Sequence, residues 1–112
     1  MPNNALQRRY FTVGDRLVGL AAQLVDAAET PIDITAQTVT FRMVKASDGT
    51  VKVNGAAAVV TEAATGKVRY DWAAADVNTA GVYYGYFIRT SGGVTATHPV
   101  DGPLLEIHLI AN

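Results

Sequence analysis

Apolar residues recur at every second position over most of the chain, and these runs are interrupted at short intervals by Gly, Asp, Asn and Pro. Period two puts successive side chains on opposite faces of an extended backbone, so the pattern predicts half-buried antiparallel strands and an all-β protein. From Gln37 to Lys45, Val39, Phe41 and Met43 share one face while Thr38, Thr40 and Arg42 share the other. From Lys67 to Trp72, Val68, Tyr70 and Trp72 point one way and Lys67, Arg69 and Asp71 the other. Leu105, Ile107 and Leu109 repeat the split in a last strand over Leu104 to Ile110. Near the N-terminus, Arg9 to Val13 reads as a first strand. Arg16 to Val25 reads as a second, with Val18, Leu20, Ala22 and Leu24 facing the core.

The interruptions have the chemistry of turns. Asp48-Gly49 suits a tight hairpin, because Gly adopts and Asp tolerates the positive φ such a turn needs, and Val51 to Val53 is the returning strand. Asn54-Gly55 predicts another turn ahead of a strand over Ala56 to Thr61, and Ser91-Gly92-Gly93 predicts a hairpin into Val94 to Thr97. Asp26 to Pro31 collects turn formers, and Pro31 cannot donate to a ladder. Ala73 to Asp76 is rich in a helix former but too short to stand alone, so a sheet-crossing loop is expected there. About seven to nine short strands with turns at this spacing indicate a β-sandwich or small barrel. The sandwich is favoured by Asp76 to Tyr83, which resembles the approach to a tyrosine corner, where a Tyr hydroxyl bonds backbone a few residues upstream. Two details depart from that motif: Thr79 stands where an acidic residue is usual, and Gly85 where Cys is frequent.

One segment breaks the rule of a single apolar face. From Gly81 to Thr90, Tyr83, Gly85 and Phe87 lie on one side and Val82, Tyr84, Tyr86 and Ile88 on the other. Only one face of each sheet meets the core of a sandwich, so the second face calls for a loop, the N-terminal arm or another chain. Tyr is enriched in protein interfaces, which makes Tyr84, Tyr86 and Ile88 candidate interface residues.

Composition narrows the function classes. The 112 residues suffice for one core, hydrophobic residues make up 49%, and charged residues make up 17% against about 25% in average soluble domains. The expected organisation is an N-terminal arm with a first edge strand over 1–15 and an immunoglobulin-like sandwich over 16–112. Nine Lys and Arg against ten Asp and Glu leave a net charge of −1, which supplies no field for phosphates and argues against nucleic-acid binding. No apolar run is long enough for a signal peptide or a membrane span, so neither export nor a membrane partner is expected. The absence of cysteine removes disulfides, thiolate zinc sites and cysteine nucleophiles, and suits folding in a reducing cytoplasm.

Catalytic chemistry finds little to work with. His98 and His108 lack the short spacing of a two-histidine metal motif and read as a loop residue and a strand-face residue bonded to a neighbour. Ser47 and Ser91 sit in Gly-containing turns, not in a nucleophile elbow. Asp15, Asp26, Asp33, Asp48, Asp76 and Asp101 are scattered over turns, where carboxylates commonly bond local backbone. No metal, cofactor or catalytic residue is expected. Arg8-Arg9-Tyr10-Phe11 mixes basic and aromatic side chains and reads as an arm laid on a neighbouring protein, with nucleic-acid contact as the lesser reading.

Taken in order, the strand motifs resemble a family. They are Leu24-Val25-Asp26, Pro31-Ile32-Asp33-Ile34-Thr35, Val39-Thr40-Phe41-Arg42-Met43, Gly66-Lys67-Val68-Arg69-Tyr70-Asp71-Trp72, Asp76 with Ala80-Gly81-Val82-Tyr83, and Thr97-His98-Pro99. Together they look like the immunoglobulin-like N-terminal domain of phage upper baseplate proteins, over about residues 16–110. The resemblance implies a tailed-phage or prophage virion protein, made in the bacterial cytoplasm and built into the particle. It implies no catalysis, other phage structural proteins as partners, and a homo-oligomer or symmetric array. In the baseplate proteins further domains follow, whereas this chain stops at Asn112. The expectation is therefore a small adaptor, a sleeve on tail or neck, or a capsid decoration. The alternative is a carbohydrate- or surface-binding module using Trp72 and Tyr83 to Tyr86 as a stacking platform, and a small hydrolase relying on Asp76 or His98 ranks third.

Overall fold

A computed structural model describes residues 7–25, 30–98 and 105–111. The expected loop at Asp26 to Glu29, the turn at Pro99 to Pro103 and the leading part of the arm lie outside the described residues. Nine strands occur among those described: β1 (Gln7–Thr12), β2 (Leu20–Gln23), β3 (Thr38–Lys45), β4 (Val51–Ala57), β5 (Val59–Glu62), β6 (Lys67–Tyr70), β7 (Gly81–Ser91), β8 (Val94–His98) and β9 (Leu105–Ile110).

They form two sheets. The larger has the order β1-β9-β7-β3-β4, with β8 also paired to β7, and the smaller has the order β2-β6-β5. Strand β7 is long enough to hold two partners on one edge: its first half pairs with β9 and its second with β8. Strand β1 runs parallel to β9, and the other pairings are antiparallel. The chain changes sheet between β4 and β5 at Ala58 alone, whose N–H bonds the Val39 carbonyl at 2.9 Å.

The core is where the alternation places it. Val39, Phe41, Met43, Tyr83, Phe87, Leu105, Ile107 and Leu109 from the larger sheet meet Leu20, Val68, Tyr70 and Trp72 from the smaller side. Phe41 is central: it stacks on Tyr70 at 4.5 Å between centroids, tilts against Phe87 at 5.0 Å, and meets Trp72 edge-on at 6.0 Å. Such aromatic pairs stabilise by about 0.5–1.5 kcal/mol beyond the area they bury. Gly85 lets this happen, because a Cβ there would stand 2.8 Å from Ile107 Cδ1 and 3.1 Å from Phe41 Cε1. The Tyr83 hydroxyl donates to the Thr79 carbonyl at 2.9 Å, which is the bond of a tyrosine corner. The fold is thus an immunoglobulin-like β-sandwich.

Four sequence expectations change, one of them the strand over Ala56 to Thr61, which divides between β4 and β5. The strand expected from Arg16 begins only at Leu20, and Val18 does not join the core: it is 64% exposed and Leu17 94%. Asp15 Oδ1 accepts the Leu17 N–H at 3.2 Å and Arg16 Nε donates to the Trp72 carbonyl at 3.0 Å, so local bonds take this segment out of the ladder. Asn54-Gly55 does not reverse the chain. Phe41 pairs with Ala56 and Arg42 with Asn54, leaving Gly55 as an extra residue at φ +75° inside β4. The positive φ is real, but it serves a bulge. His98, expected in a loop, ends β8 and is buried.

Candidate protein-docking face

The side of the larger sheet turned away from the core carries the outward residues of five strands in register. Tyr84 on β7 lies between Val44 of β3 and Glu106 of β9. One step along, Tyr86 lies beside Arg42, and beyond it Ile88 lies between Thr40 and Thr97. In the other direction Val82 neighbours His108, which in turn neighbours Tyr10 of β1. Val82, Tyr84, Tyr86, Ile88 and Val44 are half-buried. The smaller sheet packs on the opposite side, so no described strand lies over this face. A shallow groove of about 330 Å³ runs along it, lined by Arg42, Val44, Gly49, Tyr86, Ile88 and Thr97.

One end of the face is held by a polar cluster. Arg8 Nε donates to Glu106 Oε1 at 3.2 Å, and His108 Nε2 bonds the same oxygen. The His108 bond first, and Arg8 after it, hold the Glu106 carboxyl below its ordinary value. Tyr10 lies against the His108 ring with centroids 4.9 Å apart and stays 62% exposed. His108 is therefore the strand-face histidine with a bonded neighbour that the sequence suggests.

The quartet Arg8-Arg9-Tyr10-Phe11 does not lie on one face. It belongs to β1, and strand alternation sends Arg8 and Tyr10 to the outer face while Phe11 turns inward, edge-on to Trp72 at 5.2 Å. Arg9 Nη1 bonds the Arg8 carbonyl at 3.1 Å. The face does bring Arg8 and Tyr10 onto one surface with Tyr84, Tyr86 and Ile88. It also contains Arg42, Val44, Glu106 and His108, which no local feature of the sequence singles out for this face. Their signal was parity: each occupies an outward position of its own strand.

Several other polar residues have structural employment. Asp33 Oδ1 accepts the Thr35 N–H at 2.9 Å and its hydroxyl at 2.6 Å, and Asp48 Oδ1 accepts the Thr50 N–H at 2.9 Å. Asp76 is buried, and its Oδ2 accepts the Tyr70 hydroxyl at 2.6 Å and the Ala73 N–H at 2.8 Å. Burial, and then this carboxylate, push the Tyr70 phenol above its ordinary range. His98 receives the Arg89 Nε–H at 3.0 Å, and Arg89 also donates to Gln37 at 3.3 Å. Burial, and then the Arg89 charge, lower the His98 pKa, against a bond to the Val25 backbone that raises it. Among the described residues no three His, Asp or Glu side chains gather as metal ligands, and no helix is long and apolar enough to cross a membrane. Trp72 is 3% exposed and part of the core, so a carbohydrate platform on this domain would be without its indole.

Neither a family model nor a curated protein matches this chain. The likeness to phage baseplate domains rests on the order of the strand motifs alone.

Proposed function

We propose that the chain is a non-enzymatic structural protein of a tailed-phage virion, a small immunoglobulin-like adaptor or decoration subunit that docks on larger tail, baseplate, neck or capsid proteins. The observation that supports this reading best is the outer face of the larger sheet, where Tyr84, Tyr86, Ile88 and Val44 form an apolar surface that no described strand covers. Tyr and Arg at the centre of a surface are the residue types whose truncation most often costs a complex its affinity. In a symmetric particle the same modest contact repeats many times, so avidity holds a subunit whose single contact is weak.

The test is quantitative peptide mass spectrometry on purified particles of the source phage or induced prophage. A copy number matching a ring or a lattice is the expected result, and absence from particles overturns the reading. A companion variant, Tyr86→Asp, is expected to fold and to be lost from the particle. If it enters particles at the wild-type level, this face is not the docking surface.

A further inference from the structure

The outer face of the larger sheet has a charge layout that specifies its own complement, and we infer that a second copy of this chain seats on it about a two-fold axis, with Arg42 of each copy against Glu106 of the other. The inference rests on reading this face as a docking surface, and does not depend on which particle contains it.

The argument starts from register. Arg42 is the β3 neighbour of Tyr86 and Glu106 the β9 neighbour of Tyr84. With strands about 4.8 Å apart and same-face residues about 6.8 Å apart, the two charges flank β7 about 12 Å from each other, displaced by one step. A two-fold axis in the plane of the face, passing through β7 between Tyr84 and Tyr86, exchanges these two positions. Rotation about it puts Arg42 of either copy over Glu106 of its mate, twice, with Tyr84, Tyr86, Ile88 and Val44 closing between them. That is the arrangement of an isologous interface, in which one patch meets itself.

Arg42 is open to this contact, and Glu106, with 15% of its side chain exposed, keeps one oxygen for it. Arg42 is exposed, and among the described residues its side chain has no hydrogen bond or ion pair. Glu106 receives its Arg8 and His108 bonds on Oε1 alone, leaving Oε2 to accept another donor, within the capacity of a carboxylate. The size is also suitable. Five strands across and the stretch from Val82 to Thr90 along give a face of about 700 Å², near the roughly 800 Å² per partner of a standard interface. Two charge-assisted pairs on either side of β7 would fix the register, and the tyrosines would supply buried area at small entropic cost.

Charge reversal tests the pairing directly. In sedimentation equilibrium the wild-type chain is expected to dimerise, and Arg42→Glu and Glu106→Arg are each expected to weaken this by about tenfold or more. Mixing the two single variants restores association, because each then offers the other two opposite-charge contacts, and the doubly substituted chain R42E/E106R self-associates again. Circular dichroism checks that each variant is folded. Should Glu106→Arg fail to fold, Arg42→Glu still decides the matter, since the Arg42 side chain has no partner among the described residues.

A wild-type chain that stays monomeric at roughly 100 μM, a dimer indifferent to Arg42→Glu, or single variants that do not rescue each other overturns the inference. The broader reading fails separately. A monomeric wild type combined with loss of Tyr86→Asp from particles removes the second copy and keeps docking, while a dimer combined with normal incorporation of Tyr86→Asp does the reverse.

Discussion

On the smaller sheet the outward positions of β6 are Lys67 and Arg69, with Asp71 just beyond, whereas on the larger sheet the outward positions of β7 are Val82, Tyr84, Tyr86 and Ile88. The charges of the first face are satisfied close to home. Arg69 makes a two-pronged contact with Asp71 at 2.7 and 3.2 Å, and Lys67 lies 3.8 Å from Glu62. Exposed pairs of this kind contribute little, because water screens them and two long side chains lose freedom to form them. What they do is keep a face wet. The second face has few charges for its width, and Arg42 and Glu106 stand on either side of its central strand. Two sheets that share one core therefore have different relations with solvent, and the difference lies in residues that contribute nothing to the core itself.

The largest expected effect separates the two sides of one strand. Phe87→Ala is expected to cost about 3–5 kcal/mol, since it empties a fully packed position. Tyr86→Ala, one residue away, is expected to cost under about 1 kcal/mol in the monomer, as surface substitutions do. Urea denaturation of both variants at low protein concentration measures the contrast. Equal costs would mean that the outer face is a second core within the protomer, and the comparison of faces would break.

Next comes the inner side of the smaller sheet. Asp76→Ala leaves the buried Tyr70 hydroxyl and the Ala73 N–H without their acceptor, and is expected to cost about 2–3 kcal/mol. Tyr70→Phe combined with Asp76→Ala should recover part of that loss, because a missing donor needs no partner. No recovery in the double-mutant cycle would mean that the carboxylate acts through the Ala73 turn alone.

A pH effect of intermediate size involves His98, which joins Arg89 of the larger sheet to the Val25 backbone beyond β2. Its pKa is lowered by folding from the ordinary 6.5, so the unfolded chain binds the proton more readily than the folded one. The stability it contributes is fully present above pH 6.5 and is lost as pH falls from there through the folded value. Thermal midpoints should decline across that window, and His98→Gln should flatten the decline. An unchanged slope in the variant would assign the pH dependence to other groups.

The smallest effect belongs to the solvated face. Arg69→Ala and Asp71→Ala should leave the denaturation midpoint within experimental scatter, and added salt should not alter that result. A clear loss would show that the charged face is structural and not merely wet.

Much of the fold is legible in the residues taken one strand at a time. Alternation assigned Val39, Phe41 and Met43, then Val68, Tyr70 and Trp72, then Leu105, Ile107 and Leu109 to the buried side, and all of them are buried. The hairpins at Asp48-Gly49 and Ser91 to Gly93 and the corner at Tyr83 were legible as well, because each depends on a few adjacent residues. The candidate face was legible only in part. Tyr84, Tyr86 and Ile88 stand out as the wrong polarity for a solvated side, but nothing near them in sequence points to Arg42 or Glu106.

The sequence by itself determined the inward and outward sides of each strand, since side-chain parity along a strand is a local property of extended backbone. It also marked positive φ at Gly49, Gly55, Gly92 and Gly93, though not at Ala36. Tertiary structure alone decided what those marks became: at Gly55 a bulge within β4 and not a turn, because pairing with β3 continues on both sides of it. Only the packed fold set β1 parallel to β9, buried His98 at the end of β8, and drew Arg42 and Glu106 to either flank of β7. Strand order and register join segments far apart in the chain, and the free energy that selects them comes from closing the common core.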